Sequence, residues 1–342
     1  MSTSHGARAQ APLPCRNLGR SGVPVTALGF GGAAVAGLYE DVGEEAAAAA
    51  VDAAWDAGIR YFDTAPHYGL GLSERRLGAA LRDRPRHAYT LSTKVGRVLE
   101  PYDGGGDDRA HGFAVPATHR RRWDFSADGV RRSLEDSLRR LGLDRIDLVL
   151  LHDPDDHGEQ AFREAYPALE ELRSQGVVGA IGVGMNQTRM LTRFVRDTDV
   201  DAVLCAGRYT LLDQDALKTL LPAAAAAGTN VIVGGVFNSG LLATPALGAT
   251  YDYTEAPDEV LRRALRMKDI TEAAGVPLRA AALRFPFGHP AVASVLVGAR
   301  SADQVRDAVT QFHRRLPGRL WETLRVQGLL PAGVPVPEAG NP

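Results

Sequence analysis

Lysine is nearly absent from this chain. Among its 39 basic residues only Lys94, Lys218 and Lys268 are lysines. Arginine fills the other cationic positions, although lysine alone of the two offers a compact charge that titrates usefully. Lys94 is therefore a candidate functional residue. Cysteine is scarcer still. Cys15 and Cys205 exclude a disulfide-built scaffold and point to a reducing cytoplasm. Neither sign of charge is in excess, with 39 basic against 41 acidic residues and a net charge of −2. Nothing in that balance favours a nucleic acid or an anionic membrane as partner. No apolar run approaches the ~18 residues of a membrane span. Residues 1–14, rich in Ser, Gly, Ala and Pro, are expected to form a flexible tail rather than a signal peptide.

What the chain does have is apolar content, 45% of 342 residues, enough for one large barrel or two smaller domains. Short apolar runs alternate with longer amphipathic ones. Strands are expected at Val25–Gly31, Ile59–Asp63, Ala88–Lys94, Ile146–His152, Val177–Gly184, Asp201–Ala206, Asn230–Gly234 and Ser294–Gly298. Helices are expected near 44–58, 73–82, 128–141, 159–175, 187–197, 212–227, 258–274 and 301–314. Strands that each precede a helix imply a parallel sheet. Eight such units without a linker imply a closed α/β (β/α)8 TIM barrel. Residues 15–24 read as a β-hairpin capping one barrel end. One domain is expected over 15–330, with a C-terminal tail over 331–342. Segments 97–127 and 235–257 are long and follow strands, which puts them on the C-terminal face where barrel active sites form.

Three strands stay apolar until they end on an ionisable group: Asp63, Lys94 and His152. Tyr68 stands in the loop after Asp63. In a parallel barrel these strand ends share one rim, so an acid, an amine, an imidazole and a phenol converge. A phenol is a poor base at neutral pH, and a neighbouring ammonium lowers its pKa. Asp63 can hold Lys94, and His152 can orient a substrate oxygen. Such a set moves a proton on oxygen while a hydride moves on the attached carbon.

The sequence resembles the aldo-keto reductases over about residues 15–325. The resemblance rests on Gly58-Ile-Arg-Tyr-Phe-Asp-Thr-Ala-Pro-His-Tyr-Gly69, Leu91-Ser-Thr-Lys-Val95, Leu141-Gly-Leu-Asp-Arg-Ile-Asp-Leu-Val-Leu-Leu-His152 and Ala180-Ile-Gly-Val-Gly184. It implies a catalytic tetrad of Asp63, Tyr68, Lys94 and His152, and a nicotinamide cofactor extended across the barrel mouth. Lys94-Val-Gly-Arg97, Trp123-Asp-Phe-Ser-Ala-Asp-Gly129, His152-Asp-Pro-Asp-Asp-His157, Arg208-Tyr-Thr-Leu-Leu-Asp213 and Phe237-Asn-Ser-Gly-Leu-Leu242 are similar to the aldose 1-dehydrogenase branch, which includes L-fucose, D-threo-aldose and L-galactose dehydrogenases beside pyridoxal 4-dehydrogenase. That branch implies oxidation of an anomeric hydroxyl to a lactone, with Tyr68 as base.

The same resemblance implies that the cofactor meets Gly32, Met185, Asn186, Phe237, Asn238, Ser239, Gly240, Leu241, Gly298, Arg300, Ser301 and Gln304. Gly184, Ala206 and Gly234 depart from the family's usual nicotinamide pocket, and Phe237 is the expected replacement for its stacking ring. Gly298 and Gln304 stand where NADP-binding members present Lys and Arg. Losing two cations weakens recognition of a 2′-phosphate. NAD is therefore expected, with Arg300 leaving NADP as the alternative. Tyr39, Trp123, Phe125, Tyr209 and Tyr251 are expected pocket-wall residues from their loop positions. Gly29-Phe-Gly31-Gly-Ala-Ala34 imitates a Rossmann fingerprint, but the next helix starts too late for one. His152–His157 reads as a catalytic imidazole followed by a solvated acidic turn, and no metal is expected. A small aldose or aldehyde is the expected partner. The rival readings are a broad aldehyde or ketone reductase, pyridoxal included, and a cofactor-sensing binding module. The oligomeric state stays open.

Overall fold

The computed structural model describes residues 11–252 and 254–338. The chain opens on an antiparallel hairpin of β1 (Cys15–Asn17) and β2 (Pro24–Thr26). Next come β3 (Leu28–Gly31), β4 (Tyr61–Asp63) and β5 (Thr90–Val95). A second hairpin of β6 (Arg97–Pro101) and β7 (His119–Trp123) interrupts the rhythm. The chain continues through β8 (Ile146–His152), β9 (Val178–Met185), β10 (Ala202–Ala206) and β11 (Asn230–Gly234). The short pair β12 (Thr250–Tyr251) and β13 (Thr254–Glu255) precedes β14 (Val292–Gly298). Strands β3, β4, β5, β8, β9, β10, β11 and β14 pair in parallel, in that order, into a closed barrel.

Side-chain alternation along β8 explains the closure. Leu148 and Leu150 point inward, where they pack with Tyr61, Ala180, Leu204, Ile232 and Leu296. Val149 and Leu151 point outward into the helical shell. Each fully buried leucine contributes roughly 1.5–3 kcal/mol. Leu18 and Val25 of the first hairpin join the inner cluster and seal the end where the strands begin. Arg16 fastens this plug to the carbonyls of Pro290 and Val292, each at 3.0 Å. The helices follow local rules as well. Ser126 caps the helix Ala127–Leu141 by accepting from the Gly129 N–H, and Gly142 closes it at φ 66°.

Several expected boundaries move. The run 25–31 is not one strand, because Pro24–Thr26 pairs back on β1. The helix expected over 212–227 spans only Leu220–Ala227. Thr210 and Asp213 accept backbone N–H bonds at 212, 213 and 215 and hold that stretch in turns. An unforeseen helix, Leu278–Arg284, precedes β14. The tails are shorter than expected. Residues 1–10 lie outside the described part, but Leu13 is buried in the core and the Pro14 carbonyl accepts from Ala27. Of 331–342, residues 339–342 lie outside it. Val334 is buried, and its carbonyl accepts from Arg325, so this stretch packs on the barrel.

Candidate active site

Asp63 ends β4 and Lys94 is the penultimate residue of β5, one strand over. Both are buried, and Lys94 Nζ lies 2.7 Å from Asp63 Oδ2. The ammonium also donates to the Thr64 carbonyl at 2.9 Å, and Ser92 Oγ donates to Asp63 Oδ1 at 2.7 Å. The Asp63 carboxylate is thus held from two sides, and it fixes the lysine.

Tyr68 is carried by the tight loop after β4. Tyr68 N–H donates to the Ala65 carbonyl and Gly71 N–H to that of Pro66. At Gly69, with φ 57°, a Cβ would stand 2.6 Å from the Ala36 carbonyl oxygen; only glycine lets the loop lie this close. Lys94 Nζ sits 4.6 Å from the centre of the Tyr68 ring. The His152 ring meets that of Tyr68 edge-on at 5.9 Å. All four expected catalytic residues therefore converge.

Their electrostatics differ from expectation at one point. Burial pushes the Tyr68 phenol up and outweighs the Lys94 charge, which pulls it down, so the pKa ends above the ordinary value. For Lys94, burial disfavours the ammonium, but Asp63 and Tyr68 more than compensate and hold it above its usual range. Burial, then the charges of Arg97 and Lys94, drive His152 well below its usual value. The site at rest holds a neutral phenol, a charged lysine and a neutral imidazole. Arg97 is ion-paired with Asp153 and lies 4.3 Å over the Trp123 ring.

A groove of about 710 Å³ runs from Tyr68 and Asp63 across the ends of β10, β11 and β14. Asn186, Phe237, Asn238, Ser239, Gly240, Gly298, Arg300 and Gln304 line it, as does Tyr39. Other expected residues stand elsewhere, for packing reasons. Gly32 is pinned where a Cβ would meet Ser73 Oγ at 2.4 Å. Met185 and Leu241 are buried in the core. Ser301 caps the helix Ala302–Phe312 by accepting from Gln304 N–H. Phe125 covers Gly96, and Tyr209 packs on Phe285 at 5.2 Å, both fully buried. Trp123 is 41% exposed and stacks on Phe125. Tyr251 is half-buried beside the groove-lining Asp252.

The groove also takes residues not foreseen: Gly207, Gly235, Asp252, Arg279, Asp303 and Asp307. Asp303, Gln304 and Asp307 share one face of a helix, so helical spacing from Gln304 could have found the aspartates. Arg279 lies on the unforeseen helix. The glycines leave backbone open along the groove, and its volume lies within the ~300–1,000 Å³ of small-molecule and cofactor sites. These residues fit a dinucleotide laid across the mouth.

A model of the Aldo/keto reductase family matches residues 27–325. The chain belongs to that family. This aldo/keto reductase is an oxidoreductase, and membership implies a nicotinamide cofactor and a small-molecule substrate. It is 46% identical over 317 residues to a D-threo-aldose 1-dehydrogenase of Pseudomonas sp, covering 91% of this chain and 96% of that one. It is 41% identical over 334 residues to a pyridoxal 4-dehydrogenase of Microbacterium luteolum, covering 92% and 97%. A solved aldo-keto reductase from Bacillus halodurans superposes with a TM-score of 0.76 at 28% identity, covering 94% of this reductase and 98% of its own chain. Among the described residues no helix is long and apolar enough to cross a membrane.

Proposed function

We propose that this reductase is an NAD-dependent aldose 1-dehydrogenase that oxidises the anomeric hydroxyl of a threo-configured pyranose to the lactone. The observation that carries the reading is the buried Asp63–Lys94 pair beneath the Tyr68 ring; the 46% identity to a D-threo-aldose 1-dehydrogenase directs it to aldoses. When bound, the nicotinamide supplies the hydride acceptor. The Tyr68 phenolate, formed when the resting phenol gives its proton to solvent, takes the proton of the anomeric hydroxyl on Oη. Lys94 stabilises the phenolate while the proton is transferred, and Asp63 keeps the ammonium in place. His152, neutral at rest, orients the reacting oxygen by a hydrogen bond rather than by charge.

The far end of the groove supports NAD. Arg300 is paired with Glu40 at 2.8 Å. Arg279 grips Asp307 with bonds of 2.6 and 2.9 Å. Both arginines are already paired with carboxylates, which leaves neither free to meet a 2′-phosphate. Gln304 Oε1 accepts from the Arg300 backbone at 2.8 Å and adds no charge. A reducing cytoplasm belongs to the same proposal, since both cysteines are unpaired.

The test is reduced-cofactor formation by purified protein with NAD or NADP over L-fucose, L-galactose, D-arabinose, D-glucose and pyridoxal. Turnover of one or more threo-configured sugars with NAD is expected. Tyr68→Phe should slow it about 10²–10⁴-fold, the usual contribution of a positioned acid–base group. Activity on pyridoxal alone would move the substrate to that of the second relative. Equal kcat/KM with NADP would overturn the cofactor reading.

A further inference from the structure

His67 has no part in the acid–base set, yet its ring stands among the reacting groups. Ring centres are 5.6 Å apart for His67 and His152, 6.1 Å for His67 and Tyr68, and 5.9 Å for Tyr68 and His152. The three rings make a near-equilateral triangle, so His67 adjoins both groups that the proposed mechanism sets on the reacting oxygen. The other side of His67 is packed. The Phe113 ring meets it edge-on at 5.4 Å and that of His111 at 6.1 Å. Arg121 Nη2 donates to the His67 carbonyl at 2.8 Å. Packing and a backbone contact thus fix the ring, while its Nδ1 is sealed from solvent with no hydrogen-bond partner among the described residues. Nδ1 is closed to a ligand as well as to water, which leaves Nε2 of this half-buried residue as the ring nitrogen a ligand hydroxyl reaches.

We propose that His67 contacts the substrate and selects for a hydroxyl on the carbon next to the reacting one. A pyranose presents neighbouring hydroxyls a hydrogen bond's length apart. With the anomeric hydroxyl held between Tyr68 and His152, its neighbour falls at the third corner. Burial, together with the charges of Arg97 and Arg121, keeps His67 neutral. A neutral imidazole both donates and accepts, which suits a hydroxyl. The assignment deepens the aldose reading by naming the feature of the sugar that is recognised.

Two substrate pairs test it. D-arabinose and 2-deoxy-D-ribose, with NAD, differ in the 2-hydroxyl. Lactaldehyde and propionaldehyde, with NADH, differ in the same way without an anomeric centre. In the native protein kcat/KM should favour the hydroxylated member by about 10- to 100-fold. In His67→Phe, which keeps a ring against Phe113, that ratio should collapse towards one, and His67→Asn should restore part of it. Equal losses on both members of each pair would mark His67 as packing only and overturn the proposal, as would an unchanged ratio. If neither sugar reacts but the aldehyde pair shows the ratio and its collapse, the anomeric reading fails and the His67 assignment stands.

Discussion

At Lys94 a full charge is enclosed in the barrel, 1% exposed, with Asp63 as its one ion-pair partner among the described residues. Removing one partner of such a pair strands the other. Lys94→Ala should therefore lower stability by about 3–5 kcal/mol, read from the denaturant midpoint, besides ending turnover. Lys94→Met with Asp63→Leu removes both charges and should recover much of the stability while staying inactive. If the single and double variants unfold alike, the buried charge is not the cause. Tyr68 sets the pH response. Its phenol rests protonated because burial outweighs Lys94, and oxidation needs it as a base. Sugar oxidation should accelerate with rising pH through and past neutrality. Carbonyl reduction, which uses the protonated phenol, should stay flat over the same range. A plateau of the oxidation profile near neutral pH would contradict this ordering.

At the scale of elements, the insertion after β5 packs against the loop that carries Tyr68. Hairpin β6–β7 is tied down by a buried Arg121–Asp108 pair, and Arg121 also holds the His67 carbonyl. Gly112 O accepts from Tyr39 N–H and Gly37 O from Ala114 N–H, which joins the insertion to the loop after β3. Asp108→Ala should loosen this segment. Faster proteolysis within 102–118 and a several-fold rise in KM for the sugar are expected; unchanged cleavage and KM would show that the pair fastens nothing. This hairpin was not legible in the sequence, and the reason is physical. Its strands carry Glu100 opposite Arg120 and Arg121 opposite Leu99, with no apolar alternation to announce a buried face. The barrel strands were legible because their apolar runs stop abruptly at Asp63 and His152. Phe125 and Tyr209 misled for the opposite reason. Both stand in loops at the mouth, but Gly96 leaves room for the Phe125 ring, and Phe285, just past the helix Leu278–Arg284, packs against that of Tyr209 in the core. The groove helix was half legible: Gln304 was expected, whereas Asp307, one turn on, needed the three-dimensional face.

For the whole molecule, cofactor binding and folding are linked. A ligand that binds the native state alone adds about 2.7 kcal/mol at a hundredfold its Kd. NAD should raise the melting temperature by several degrees and NADP, at equal concentration, by less. Equal shifts would mean that the paired arginines Arg279 and Arg300 do not discriminate. The closed end of the barrel carries a separate consequence. Cys15 is exposed on the plug hairpin, at the end remote from the mouth, whereas Cys205 is buried with its thiol pushed up to about 12. A maleimide should therefore attach at Cys15 alone, which intact-mass measurement would verify. Coupled through that sulfur to an electrode or bead, every molecule would face its groove towards solution, giving an oriented monolayer without any engineered handle.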